Sequence, residues 1–309
     1  MRVLRSLEDA KKYCSNAVIA VGNFDGVHRG HEAIIEHLIV RSRELSSPNL
    51  VVTFEPHPQL LIGRKPPLPI LTPTVRKLEL LSRYAINTVL LIPFTKEFSK
   101  ITAETFVKTT YVEKLGIQEI IVGYSHKFGK NGQGDQELLK QLSEQYGFAT
   151  HIVQPILLEG SPVNSSNIRS LLSVGEISAA ERMLGYPYSI AGIVVRGNGR
   201  GNQLRFPTAN LETHDTHVQI PKRGVYAVRV CLEEKKLNGV MNIGTRPTFG
   251  AGREHCEVHI LDFDRDLYNQ SIQVEFVARI RDEKQFSSID ALKDQISNDV
   301  FTTANMLKA

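Results

Sequence analysis

The sequence predicts an α/β domain followed by an all-β one: a parallel sheet wrapped by helices over residues 1–185, then an antiparallel β-barrel with a terminal helix over residues 186–309. Three observations carry this reading. Short apolar runs alternate with helical patterns through the first part, as strands do in a helix-covered sheet. After Gly185, where Tyr186-Pro187-Tyr188 breaks that pattern, period-two alternation separated by glycine turns takes over. The length, 309 residues, also exceeds what one hydrophobic core ordinarily serves.

In chain order, the predicted strands of the first domain are Ala17 to Val21, Leu50 to Phe54, Thr88 to Ile92, Glu119 to Gly123 and Thr150 to Gln154. Helical patterns lie at Glu32 to Leu45, Thr105 to Leu115, Gln136 to Tyr146 and Ser170 to Leu184. In the second domain, alternation over Ser189 to Arg196, Gly224 to Leu232, Cys256 to Phe263 and Ser271 to Ile280 predicts antiparallel strands, with a helix near Ser287 to Met306. Parallel sheets bind ligands beyond the carboxyl ends of their strands. The turns after the first, second and fourth predicted strands therefore converge on one crevice.

Composition narrows the partners. Hydrophobic content of 41% and charged content of 23% read as a soluble globular chain. The net charge of +4 is spread along the chain, which fits small polyanions better than nucleic acid, whose surfaces need clustered basic residues. No apolar stretch approaches the roughly 20 residues of a membrane helix, and Met1-Arg2-Val3-Leu4-Arg5-Ser6 lacks the apolar core of an export signal. Cys14, Cys231 and Cys256 stand singly, in keeping with a reducing compartment. A cytoplasmic protein without membrane contact is expected; nothing in the sequence speaks to its oligomeric state.

The most informative segment is Gly22-Asn23-Phe24-Asp25-Gly26-Val27-His28-Arg29-Gly30-His31, a strand feeding a tight turn that feeds a helix. Free N–H groups and the positive end of the helix dipole make such a junction an anion site, with His28 and His31 beside it. Gly26 suits the turn, and Gly30 leaves room for a phosphate to approach the backbone. Two histidines so spaced also suit plain surface positions or a metal, but the scattered cysteines offer no zinc-ligand spacing. Phe54-Glu55-Pro56-His57-Pro58 reads as a rigid turn carrying an aromatic ring and an imidazole. Val163-Asn164-Ser165-Ser166-Asn167-Ile168-Arg169 joins hydroxyls and a cation at another helix start, where they serve as caps or as phosphate ligands. Arg196-Gly197-Asn198-Gly199-Arg200-Gly201 is either a hairpin loop or a phosphate-binding backbone. In Phe206-Pro207-Thr208-Ala209-Asn210, a hydroxyl and an amide oxygen lie two residues apart on one side of an extended chain, as hard ligands for Mg²⁺.

His28-x-Gly30-His31 after the Phe-Asp-Gly turn resembles the signature of nucleotidyltransferases, and within them the bacterial FAD synthetase family. The resemblance implies a Rossmann-like domain in which His28 and His31, with Arg169, stabilise charge on ATP while FMN phosphate attacks and pyrophosphate leaves. Gly22, Phe24, Gly30, Ser165 and Ser166 would bind ATP phosphates; Phe54, Pro56, His57, Pro58 and Phe128 would border the flavin. The second domain resembles the riboflavin kinase module, through Gly197, Gly199 and Gly201, through Phe206 to Asn210, through Asn242-Ile243-Gly244-Thr245-Arg246-Pro247-Thr248 and through Arg279 to Glu283 with Phe286. There the resemblance implies Thr208 and Asn210 holding Mg²⁺ with ATP, Glu257 as the base and Arg279 at the flavin. Riboflavin, FMN, FAD and ATP are the partners implied, and a bifunctional enzyme converting riboflavin to FMN and FMN to FAD is expected. Ser125, His126, Asn164 and Arg205 depart from the family pattern. Ser125, His126 and Asn164 leave open the loss of one activity, a different acceptor or a changed flavin redox preference; a flavin-sensing protein without turnover is the other reading, which His28, His31, Arg169, Thr208, Asn210 and Glu257 argue against.

Overall fold

Parallel pairing organises the first part of the chain, as the strand–helix alternation requires. The computed structural model describes residues 1–62, 67–197, 206–233, 235–245 and 254–308, in two units, Met1–Ser165 and Ser166–Ala309. The first runs β1 (Arg2–Leu4), α1 (Leu7–Tyr13), β2 (Val18–Val21), α2 (Arg29–Glu44), β3 (Asn49–Glu55), α3 (Pro58–Ile62), α4 (Thr74–Leu81), β4 (Thr88–Pro93) and α5 (Ala103–Phe106). It continues with β5 (Glu119–Gly123), α6 (Gln136–Tyr146), β6 (Ala149–Val153) and the small pair β7 (Leu157–Leu158) and β8 (Ser161–Pro162). Six strands form a sheet in the order β1-β4-β3-β2-β5-β6, every neighbour parallel.

All four residues of β2 are buried, which explains its unbroken apolar run. α2 buries Ile34, Ile35, Leu38 and Ser42, one stripe at helical spacing, and places Glu32 in its first turn and Arg41 and Arg43 in its last. α6 starts on the Asp135 side chain, which accepts from the Leu138 N–H, and stops at Gly147 with φ of 76°. The chain moves from β2 to β3 and β4 on one side and then to β5 and β6 on the other. The order reverses at β2, so the crevice of this sheet opens beyond the carboxyl end of that strand.

The second unit takes up α7 (Ser165–Val174) from its second residue, then α8 (Ile177–Leu184), β9 (Ser189–Val195), β10 (Ala209–Thr213), β11 (Gly224–Leu232), β12 (Lys235–Thr245), β13 (Glu254–Ile260), β14 (Ser271–Arg281) and α9 (Ile289–Leu307). The six strands close a barrel, β10-β13-β12-β11-β14-β9, with all pairs antiparallel. Its core holds Tyr188, Tyr226 and Phe276, with Tyr226 and Phe276 edge to face at 5.3 Å. α9 is capped by Ser288, whose hydroxyl accepts from the Ala291 N–H, and Asp299 on it takes three hydrogen bonds from the Arg281 guanidinium.

One expected helix is two. The pattern from Ser170 to Leu184 breaks at Gly175, whose φ of 86° ends α7, and the space a methyl would need there is filled by Arg279 Cδ at 2.4 Å. β1, β10 and β12 were not expected as strands. β1 is three residues long, and β10 and β12 carry lysine, asparagine and glycine, residues a strand pattern does not favour.

Candidate functional site

In the first unit the turn after β2 is wound through left-handed backbone at Phe24 (φ 49°), Gly26 (φ 88°) and Val27 (φ 33°). Phe and Val reach that region only under constraint, at a cost on the order of 1–3 kcal/mol each. Asp25 supplies the constraint. Its buried carboxylate accepts from the Leu71 and Thr72 N–H groups at 2.8 and 2.9 Å, while the Gly26 N–H donates to Thr72 Oγ1 at 2.9 Å. Beneath the turn, Thr53 Oγ1 donates to the Asn23 carbonyl at 3.1 Å and lies 3.3 Å from the buried amine of Lys77.

The turn delivers His28 to the N-cap of α2, where its Nδ1 accepts from the His31 N–H at 3.3 Å. An imidazole accepting at Nδ1 carries its proton on Nε2. That nitrogen lies 3.4 Å from Ser165 Oγ, which itself donates to the Asp25 carbonyl at 2.9 Å. The His28 and His31 rings stack with centroids 3.7 Å apart. Burial, then His28 and Lys77 nearby, hold the His31 imidazole well below its usual range, so it is neutral at pH 7. A methyl on Gly30 would stand 2.9 Å from the Val163 carbonyl and 3.2 Å from the His28 ring. The space left by its missing side chain is taken by the chain itself. Ser166 and Arg169 follow Ser165 on α7, Arg169 one turn along and buried.

Beside this turn a cavity of about 160 Å³ is walled by aromatic rings, among them Phe54, Phe94, Phe98, Phe106, Tyr111 and Phe128. Pro58 and His126 also line it; Pro56 and His57 are absent from the lining. His57 is buried and its Nδ1 accepts from the Gln59 N–H at 3.2 Å, a cap for α3. Burial pushes His126 down to about 4, and its ring lies nearly parallel to Phe128 at 5.5 Å. It therefore serves as a neutral flat ring at an aromatic position.

In the second unit strand register builds the site. Asn210 on β10 pairs with Glu257 on β13, and Glu257 pairs with Asn242 on β12, so the three side chains form one row across the sheet. Cys256, Val258 and Ile260 alternate with that row and are buried, which puts Glu257 on the opposite face. His255 Nε2 lies 2.6 Å from Glu257 Oε1. A methyl on Gly197 would fall 2.0 Å from Asn210 Nδ2, so glycine there is what seats the Asn210 side chain. Thr208 lines a cavity with Pro207, Val258 and Phe263 that does not include Asn210 or Glu257. Arg279 donates to the Arg223 carbonyl at 2.8 Å and to Asp282 at 2.6 Å. Gly199, Gly201 and Arg205, with Arg246 to Thr248, lie outside the described residues.

These two constellations are matched in known families. The FAD synthetase model matches residues 10–167 and the riboflavin kinase model residues 184–307. A bifunctional riboflavin kinase/FMN adenylyltransferase of Buchnera aphidicola subsp. Schizaphis graminum is 35% identical over 305 residues, 97% of each chain. The chain belongs to the bifunctional riboflavin kinase/FMN adenylyltransferase family. The Escherichia coli K12 member is 37% identical over 304 residues, covering 98% of this chain and 96% of its own. Among solved structures, one described as a macrolide-efflux protein from Streptococcus pneumoniae is 29% identical, with a TM-score of 0.88 and 99% of both chains covered. Among the described residues, no helix is long and apolar enough to cross a membrane.

Within this family member, four residues escaped the sequence reading. Thr72 and Lys77 act through contacts distant in sequence, which no local motif reveals. His255 was hidden by its place two residues before Glu257, on the same strand face. His259, whose Nδ1 donates to the Pro207 carbonyl at 2.8 Å while its ring meets Phe206 edge-on, fixes the Phe-Pro segment before Thr208. Of the departures from the family pattern, Asn164 turns its amide to the Pro162 carbonyl at 3.4 Å, and Ser125 is exposed.

Proposed function

We propose that this chain carries out both reactions of its family: residues 186–309 phosphorylate riboflavin to FMN, and residues 1–185 adenylylate FMN to FAD. The observation that carries the reading is that one chain holds both constellations, the stacked His28–His31 pair at a helix start and the Asn210–Glu257–Asn242 row.

For adenylyl transfer, an FMN phosphate oxygen attacks the α-phosphorus of ATP, a new P–O bond forms, and the bond to the bridging oxygen breaks to release pyrophosphate. The His28 Nε2–H and the first-turn N–H groups of α2 face developing negative charge with preset donors. Neutral His31 adds polarity without a proton to lose, Ser165 and Ser166 offer hydroxyls, and Arg169 offsets charge on the leaving group. Gly22 and Phe24 shape the approach to the turn. Phe54, Pro58 and Phe128 wall the flavin end of the crevice, with Pro56 and His57 holding the loop behind them.

For phosphorylation, Glu257 takes the proton of the ribityl hydroxyl as its oxygen attacks the γ-phosphorus and ADP leaves. His255 bonds Oε1 and fixes the orientation of the carboxylate. The oxygens of Thr208 and Asn210 are the hard donors Mg²⁺ requires, and Asn210 faces Glu257 across paired strands. When bound with ATP the ion neutralises phosphate charge. In this reading Gly197 borders the phosphates and Arg279 the flavin. A cytoplasmic location fits an enzyme that draws on ATP.

The test is chromatography of flavin products after incubation with ATP, Mg²⁺ and either riboflavin or FMN, with flavin oxidised and again reduced. FAD from riboflavin is expected. His28→Ala should stop at FMN, and Glu257→Gln should make FAD only when FMN is supplied. Equal loss of both activities in either variant would refute two separate sites.

A further inference from the structure

The aromatic cavity beside the β2 turn holds a polar atom that the reading above does not use. Tyr111 is 1% exposed, lines the cavity and meets Phe106 edge-on at 4.8 Å. Its hydroxyl is buried, yet among the described residues it has no hydrogen-bond partner. Burial raises the phenol's pKa far above its usual range, so the group is a permanent O–H. A buried hydroxyl without a partner is destabilising, and phenylalanine would fill the same space without that cost. The walls are mostly rings; Asn23, Ser99 and His126 also line the cavity, and among the described residues none of them bonds this hydroxyl. Tyr111 also lies in the wide π-helical turns of Val107–Leu115, a backbone variation concentrated at functional sites.

We propose that Tyr111 is a specificity-determining residue of the adenylyltransferase, its hydroxyl donating a hydrogen bond to a ring carbonyl or ring nitrogen of the flavin held in the aromatic cavity. The proposal rests on the reading of that cavity as the flavin end of the site. A flat apolar ring would be held by Phe54, Phe94, Phe98 and Phe128 alone. Recognition of a heteroaromatic ring, with acceptors on its edge, needs a donor at the cavity wall, and Tyr111 is a lining residue whose hydroxyl no described protein group uses.

The Tyr111→Phe variant tests this, because it keeps the ring and removes one oxygen. In FAD formation from FMN, the KM for FMN is expected to rise about 5- to 30-fold with kcat changed less than about 2-fold, the loss of one hydrogen bond in an apolar site. The midpoint of urea unfolding should stay the same or rise, and riboflavin phosphorylation should be unchanged. A purely structural tyrosine would show the reverse, with stability lost and KM kept. A wild-type KM, or a fall in stability that accompanies the rise in KM, overturns the proposal. Ile101→Trp, which fills the cavity, and Phe54→Ala, which strips one wall, separate the two levels. If either raises the KM for FMN while Tyr111→Phe does not, this proposal alone fails; if neither does, the flavin reading of the cavity fails with it.

Discussion

Lys77 offers the sharpest physical test of the first unit. It sits on α4 with 3% exposure, its amine 3.3 Å from Thr53 Oγ1, and burial pushes it down to about 8 despite the attraction of Asp25 and Glu55. From its ordinary 10.5 that is a drop of about 2.5, worth about 3 kcal/mol at 1.36 kcal/mol per unit. The sign follows from proton counting. Below pH 8 folded and unfolded chains both hold the proton, so the folded state bears the whole cost. Between pH 8 and 10.5 the folded chain releases it first, and stability rises with pH. Lys77→Met keeps the length and the apolar stem while deleting the charge. The variant should therefore be more stable by roughly 2–3 kcal/mol at pH 7, after the lost contact to Thr53, and the gain should vanish by about pH 10.5. Urea unfolding followed by circular dichroism at pH 7 and pH 10 measures this, the chain having no tryptophan to report by fluorescence. FAD formation is expected to fall in the same variant, since a cation beneath the turn between β2 and α2 is gone, with riboflavin phosphorylation kept. A variant less stable than wild type at pH 7 would refute the reasoning, for it would make the buried charge a net stabiliser.

Other outcomes follow from packing and charge. Gly30→Ala drives a methyl to 2.9 Å from the Val163 carbonyl, so FAD synthesis from FMN should drop at least about 10-fold while FMN synthesis holds, read by product chromatography. Gly197→Ala, whose methyl would meet Asn210 Nδ2 at 2.0 Å, should do the converse by a similar factor. Asp299→Ala strands the Arg281 guanidinium that now makes three bonds to it, and calorimetry should show the barrel destabilised by about 3–5 kcal/mol. His126 titrates at about 4, so the KM for FMN should show no step from this ring between pH 5.5 and 8; an inflection near 6.5 that His126→Phe removes would contradict its neutrality.

What could be read from the sequence was whatever is local. The β2–α2 junction, the helix Gln136 to Tyr146 and the alternation over Ser189 to Arg196 are decided by neighbours within a few residues, and each appears where the pattern placed it. Side chains that work across the fold left no such mark. Lys77 lies in a stretch the sequence assigned to no element, and only the fold makes it a buried amine. Tyr111 reads as core. Thr72 is one of many threonines until Asp25 and Gly26 are folded onto it. Conversely, the strands β10 and β12 were obscured because the residues that disfavour them, Asn210, Asn242 and Gly244, are the ones their site needs.

The two motif glycines argue the same point from the other side. Gly30 and Gly197 were each read as bare backbone for a phosphate to approach, yet the volume each leaves is occupied by protein: the Val163 carbonyl and the His28 ring in one unit, the Asn210 amide in the other. A side chain at either position would displace a functional group before it met a ligand. Glycine is required there because the site's own residues need the space, His28 to cap α2 and Asn210 to face Glu257. On the proposed assignment, glycine at these positions specifies the packing of His28 and Asn210 as much as room for a substrate. The measurable consequence is that alanine at Gly30 or Gly197 should reproduce the loss expected on removing His28 or Asn210, with little further loss in the corresponding double variants.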